Sequence, residues 1–224
     1  MGTKRVLATL AVAVAALAAA WGIGKNSKIN SDRLPVTART AIVQEHKKLS
    51  AEVEHITNLL EQGKTEEASK AIYFAWTLAD TLSKTDTKYE LLEGQLKILR
   101  DILRIMSTYN TNYLVYNNFG TQLKEYKEKK IHDLWLNDNG IIYLIEARRY
   151  ADSDVARETP QFRQALINFL ASLAKQRIEL LQKWQVELSY MRQLDLTDGK
   201  IKSVLGVIIE RIQVYQTFLD SLSE

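Results

Sequence analysis

Glu52 and His55 stand three residues apart, the Glu-x-x-His spacing with which helical bundles hold di-metal centres. Such a centre draws that pair from each of two helices, and this chain offers it once. His132 has Glu128 four residues before it and no Glu three before it. His46 has Glu45 beside it, which a helix turns onto a different face. Three His in the whole chain cannot fill two such motifs. His55 is therefore expected on a helix surface and His46 as a partly buried polar residue, with no metal site and no cofactor. Zero Cys excludes a thiolate zinc site, a Cys nucleophile and a disulfide scaffold. No Gly-x-Ser-x-Gly elbow occurs, and no Ser-x-x-Lys pair falls at a plausible site. No catalytic residue is assigned, and the protein is not expected to be an enzyme.

The remaining chemistry-bearing cluster is aromatic and amide. Tyr109, Tyr113 and Tyr116 follow at four- and three-residue spacing, with Asn117 and Asn118 directly after. A Tyr offers a flat apolar face with a polar tip, so this set could form an interaction surface for a sugar or a protein partner. The same spacing also continues the buried stripe of the helix before it. Arg148 and Arg149 beside Tyr150 read as a solvated helix end.

Charge is distributed unevenly. The chain has 30 Lys plus Arg and 27 Asp plus Glu in 224 residues, a net of +3. Residues 1–30 carry Lys4, Arg5, Lys25 and Lys28 and no acid, which leaves 26 basic and 27 acidic groups in the rest, a net of −1. A body near neutrality argues against nucleic acid as a partner, because phosphate binding needs a clustered basic excess. The four basic residues form a collar around residues 6–23, which are apolar except for Thr9 and Gly22. At about 1.5 Å per residue that stretch makes about 27 Å of helix, just enough to cross a hydrocarbon core. Eight of its residues are Ala, so its partitioning into lipid is weak.

Two readings of this segment follow. As an uncleaved anchor, it has Lys25 and Lys28 as a stop region, and Ala11, Ala15 and Ala19 fall on one face for membrane-helix packing. As a signal peptide, it has a charged start and the small residues Ala18, Ala19 and Ala20 as a cleavage site. A packed, Ala-rich soluble helix is the third possibility. The signal-like layout places the body on the extracytoplasmic side of a single-pass membrane protein, or in the secreted fraction if the segment is removed.

Low Gly and Pro counts argue against a turn-rich β protein, and helical periodicity runs through the rest. Residues 1–24 form the membrane or signal segment, 25–34 a polar linker and 35–224 a helical bundle domain. Ile42, His46, Leu49, Val53, Ile56 and Leu60 make one stripe, closed by Gly63 as a left-handed cap. Thr65 is expected to cap the next helix. Thr87 and Glu90 are expected to open a third as a capping box. Asn110, Asn112, Asn117, Asn118 and Gly120 predict a break near residues 117–121, with a separate polar helix over 121–135. Asn137-Asp138-Asn139-Gly140 is a strong turn signal. Pro160 opens a long arm whose seam runs Leu166, Leu170, Leu173, Arg177, Leu180, Trp184, Glu187, Met191 and Leu194. Its partner seam is Ile201, Leu205, Ile208, Ile212, Tyr215, Leu219 and Leu222. The fold expected is all-α: long antiparallel helices with a C-terminal helical hairpin. Gly63, Ala68 and Ala75 resemble the small-residue positions of one tetratricopeptide unit. Glu66 stands where that repeat has an aromatic, and no second copy follows at about 34 residues.

The function expected is that of a membrane-anchored structural or interaction protein, an accessory or assembly subunit of an envelope or membrane complex. Its partners would be the membrane and a protein partner or further copies of itself, met through the exposed part of the C-terminal helix. One alternative is a secreted helical effector or pore-forming protein with a cleaved signal peptide. Another is a soluble ligand-binding bundle that uses the Tyr and Asn surface.

Overall fold

A computed structural model describes residues 10–16, 18, 36–84, 86–129, 133–194 and 199–223. Every element among them is helical. The main helices are α1 (Val36–Gln62), α2 (Thr65–Ser83), α3 (Lys88–Lys127), α4 (Gly140–Ala151), α5 (Asp154–Arg157), α6 (Pro160–Leu194) and α7 (Gly199–Ser221). Residues 10–16 are also helical. Among the described residues no helix is long and apolar enough to cross a membrane. Most of the expected membrane-crossing segment over 6–23 lies outside the described residues, so the described part does not support a transmembrane or signal helix.

The chain divides into two compact units. The first comprises Met1–Arg104 and Arg148–Phe169, and the second Ile105–Ala147 and Leu170–Glu224. In the first unit, Leu49, Val53, Ile56 and Leu60 of α1 are buried, as the stripe predicts. Gly63 follows with φ 80°. Its N–H donates to the Leu60 carbonyl at 3.0 Å, and the Lys64 N–H donates to the Leu59 carbonyl at 2.9 Å. This pair of bonds is a Schellman motif, and glycine takes the positive φ without steric strain. The turn is so short that Lys64 is at once the end of the motif and the N-cap of α2. Thr65 is consequently the first helical residue and not the cap, and no side chain caps α2. Glu66 and Glu67 lie in its first turn, where the helix dipole favours acids. Ala68, Ala71, Ile72, Ala75, Leu78, Ala79 and Leu82 are buried, and the small residues let α1 and α2 pack closely.

The expected break at 117–121 does not occur. α3 runs unbroken for 40 residues. Phe119 and Leu123 are buried, and the Phe119 ring lies 4.8 Å from that of Trp184. Burial of these side chains outweighs the low helix propensity of the Asn and Gly residues before them. No separate helix follows over 121–135: Lys129 takes φ 56°, and residues 133–139 are non-helical. The turn at 137–140, the short helix after it and the long arm from Pro160 stand as expected. Helix α5 is an addition: the Ala156 N–H donates to Ser153 Oγ at 3.4 Å to cap it.

In the second unit, Leu170, Leu173, Arg177 and Trp184 of the α6 seam are buried, and Leu180, Glu187 and Met191 are half-buried. The α7 core is formed by Ile201, Val204, Leu205, Ile208, Tyr215 and Phe218. Ile212, Leu219 and Leu222 are half-buried.

Candidate functional site

The most concentrated buried polar chemistry lies in the second unit, around Asp138. The residue sits just before α4 and is 2% exposed. Its Oδ1 accepts two hydrogen bonds, from the Gly140 N–H at 2.9 Å and from the Tyr215 hydroxyl at 2.9 Å. Asp138 thereby satisfies one of the backbone donors that a helix start leaves open. Arg177 of α6, 1% exposed, brings Nη2 to 3.8 Å from the same oxygen. This is a charge contact, beyond hydrogen-bond length. The Arg177 guanidinium also lies 5.0 Å from the centre of the Tyr109 ring, a cation–π distance. The second carboxylate oxygen, Oδ2, is buried with no hydrogen-bond partner among the described residues.

These contacts oppose one another. Burial pushes the Asp138 carboxyl above its ordinary value, because taking the charge out of water is costly. Arg177, the Gly140 N–H, the Tyr215 hydroxyl and the charge of Arg211 pull it back, and burial wins. Burial, then the negative charge of Asp138, also raises the Tyr215 phenol, which stays a neutral donor. Gly140 is fixed by space. A β-carbon there would stand 2.5 Å from the Tyr215 hydroxyl, 2.8 Å from Arg177 Nη2 and 3.1 Å from Asp138 Oδ1. The cluster closes upon itself, and its chemistry is that of a buried register lock.

The first unit has two smaller, neutral counterparts. Gln95 donates through Nε2 to Thr159 Oγ1 at 2.7 Å, and both residues are buried. His46 is buried, with Nδ1 2.9 Å from the Tyr89 hydroxyl and the rings edge-to-face. His46 is thus a satisfied core residue, as its place in the α1 stripe predicts. His55 is exposed, and His132 lies outside the described residues. Among the described residues no group of His, Cys, Asp and Glu could hold a metal ion.

The sequence-predicted interaction residues do not come together as one surface. Tyr109 is buried beneath Arg177, which makes it part of the core. The side chains of Tyr113, Tyr116, Asn117 and Asn118 lie outside the described residues. Of the small-residue triad, Ala11 is buried, Ala15 is exposed, and Ala19 lies outside the described residues, so the described pair does not share one environment. Leu10, Ala13 and Val14 are also buried. Along the C-terminal helix, Ile209 is the large exposed apolar residue.

No family model, no curated protein and no solved structure matches this chain. Its function must be argued from its own residues.

Sequence reading missed two features. Asp138 was hidden in a turn signal, although Arg177 in an apolar seam implied an internal counter-charge. The second is a set of exposed apolar side chains at helical spacing: Tyr73 with Phe74 on α2, Ile142 with Ile145 on α4, and Val186 with Tyr190 on α6. A residue-by-residue check of which apolar positions fall off the buried stripes would have found them.

Proposed function

We propose that the protein is a structural or interaction subunit built on a helical bundle. Its N-terminal apolar segment holds it at a membrane, with the body on the extracytoplasmic side. There it serves as an accessory or assembly component of an envelope or membrane complex, without catalytic activity. In this reading α6 and α7 form an antiparallel hairpin, and a protein partner or a second copy covers the exposed positions. The observation that carries it is the surface set of apolar side chains. Val186 is 71% exposed and Tyr190 63%, one helical turn apart on the same face. Such a pair on a helix is a typical anchor for a partner helix. The membrane tether draws its support from the apolar run 6–23 and its basic collar.

The test is site-specific photo-cross-linking from position 190 in the full chain within native membranes, combined with fractionation. The reading expects a cross-linked partner or dimer, and release by detergent but not by high salt. A monomer that cross-links to nothing from position 190 would remove the interaction role. Release by salt alone would remove the integral tether.

A second reading rests on the burial of Leu10, Ala11, Ala13 and Val14. Small and apolar residues covered in this way are also what a soluble packed helix presents. Release by salt with the N-terminus intact by mass would select this reading over the tether.

A further inference from the structure

We propose that the face of α2 and α3 carrying Tyr73, Trp76 and Arg100 is the docking site for an acidic segment of a partner protein with an aliphatic or aromatic anchor. The inference rests on the reading of the protein as an interaction subunit, and it names one surface and the chemistry that surface selects.

The face is built in advance of any partner. The half-buried Trp76 donates its indole N–H to Glu93 Oε1 at 2.7 Å, which fixes the ring. The Arg100 guanidinium covers that ring, 4.8 Å from its centre. Arg100 is itself held by Asp101, which accepts from Nε at 3.1 Å and from Nη2 at 3.0 Å. A guanidinium has five N–H donors, so three are left for an incoming acceptor. Tyr73 extends the aromatic surface, its ring 5.6 Å from that of Trp76, and it is 57% exposed. Phe74, next to it, is 50% exposed. Tyr, Trp and Arg are the residue types that dominate binding hot spots. Holding them in place beforehand lowers the entropy lost on binding.

Charge selects the partner. Glu93 and Asp101 are engaged by Trp76 and Arg100. Lys97 and Arg104 are exposed, three residues before Arg100 and four after it, on the same side of α3. The outward charge beside the aromatic surface is therefore positive. A carboxylate reaching Arg100 would make a charge-assisted hydrogen bond next to an apolar contact on Tyr73 and Phe74. A basic or neutral segment would gain the apolar contact alone.

The test uses the full chain and three synthetic amphipathic peptides with identical Leu and Phe anchors and with Glu, Gln or Lys at every polar position. Oligothymidylate is the nucleic-acid control. Calorimetric titration is expected to show the Glu peptide binding about tenfold more tightly than the Gln peptide, and the Lys peptide weakest. The preference should shrink at high salt. Arg100→Glu should invert the order of the peptides. Tyr73→Ser, at an exposed position where folding is not at stake, should weaken all three alike. Equal binding of the three peptides, an unchanged order in Arg100→Glu, or tighter binding of oligothymidylate would overturn the proposal. If that happens while cross-linking from position 190 persists, the interaction role stands and only this surface is lost. Failure of both experiments removes both readings.

Discussion

Asp152 in the first unit and Asp138 in the second are the same residue type, each with two Arg nearby, and their carboxyls move in opposite directions. Asp152 is partly exposed. Its Oδ1 accepts from Arg163 Nη2 at 2.7 Å and its Oδ2 from Arg148 Nε at 3.1 Å. Burial raises its carboxyl more than any single contact lowers it, but the two hydrogen bonds and two charges together hold it below its ordinary value. Asp138 is fully buried, and its Arg177 stands beyond hydrogen-bond length, so there burial prevails. Proximity of opposite charge does not by itself settle which form a carboxyl takes. Direct hydrogen bonds and retained water decide it.

The largest expected effect comes from breaking the buried side of this comparison. Asp138→Ala removes the acceptor for Gly140 and Tyr215 and strands the Arg177 charge. It should destabilise the second unit by about 3–5 kcal/mol, read by denaturant unfolding. Arg177→Met should be milder, because Asp138 can take up a proton when its counter-charge is gone. An equal or larger loss in Arg177→Met would contradict the account of the carboxyl. Next is Gly140→Ala, whose β-carbon would displace three polar atoms at once. A loss of about 1–3 kcal/mol is expected, with amide exchange accelerating around α4 and α7 and not around α1 and α2.

A smaller effect distinguishes the two Asp residues by pH. The lowered Asp152 carboxyl contributes stability above its ordinary value, and that contribution is lost as pH falls through its folded value. The raised Asp138 carboxyl does the reverse: its contribution is complete below its ordinary value and fades as pH rises through its folded value. Local amide exchange followed across pH should therefore show protection near Asp152 falling on the acid side. In Asp138→Asn, the decline of the second unit on the rising side should disappear. If the wild type and this variant share one pH profile, the raised carboxyl is refuted. The smallest effect is expected at the fully exposed Glu66 and Lys70, whose pairing lowers the one and raises the other. Glu66→Gln should leave the melting temperature unchanged within error, because water and salt screen that pair.

Helical periodicity made most of the fold legible. The α1 stripe, the α2 small-residue face and the α7 seam are visible as spacing alone, because one-sided burial leaves a period in the sequence. The α3 continuation was not legible: Asn117, Asn118 and Gly120 signal an ending locally, and only the distant Trp184 gives Phe119 a reason to continue the helix. The buried cluster was half-legible. Arg177 interrupts an apolar seam, and Tyr215 lies within one. Asp138 looked like an ordinary turn residue, because its partners are supplied by segments far along the chain. The aromatic surface on α2 was concealed by its neighbours. Tyr73 and Phe74 adjoin a buried Ile72 and Ala75, and composition does not tell a covered aromatic from an open one.

The two-residue joint at Gly63 and Lys64 also sets an order of events during synthesis. Contacts between α1 and α2 close a minimal loop, so little chain entropy is lost before apolar burial begins. That hairpin can assemble as soon as α2 has left the ribosome. The Tyr215 bond to Asp138 spans 77 residues and has to wait for the last helix. Until then Asp138 and Arg177 lack one of their fixing groups. The nascent chain thus carries its charged cluster open to water for most of its assembly and buries it as the closing step.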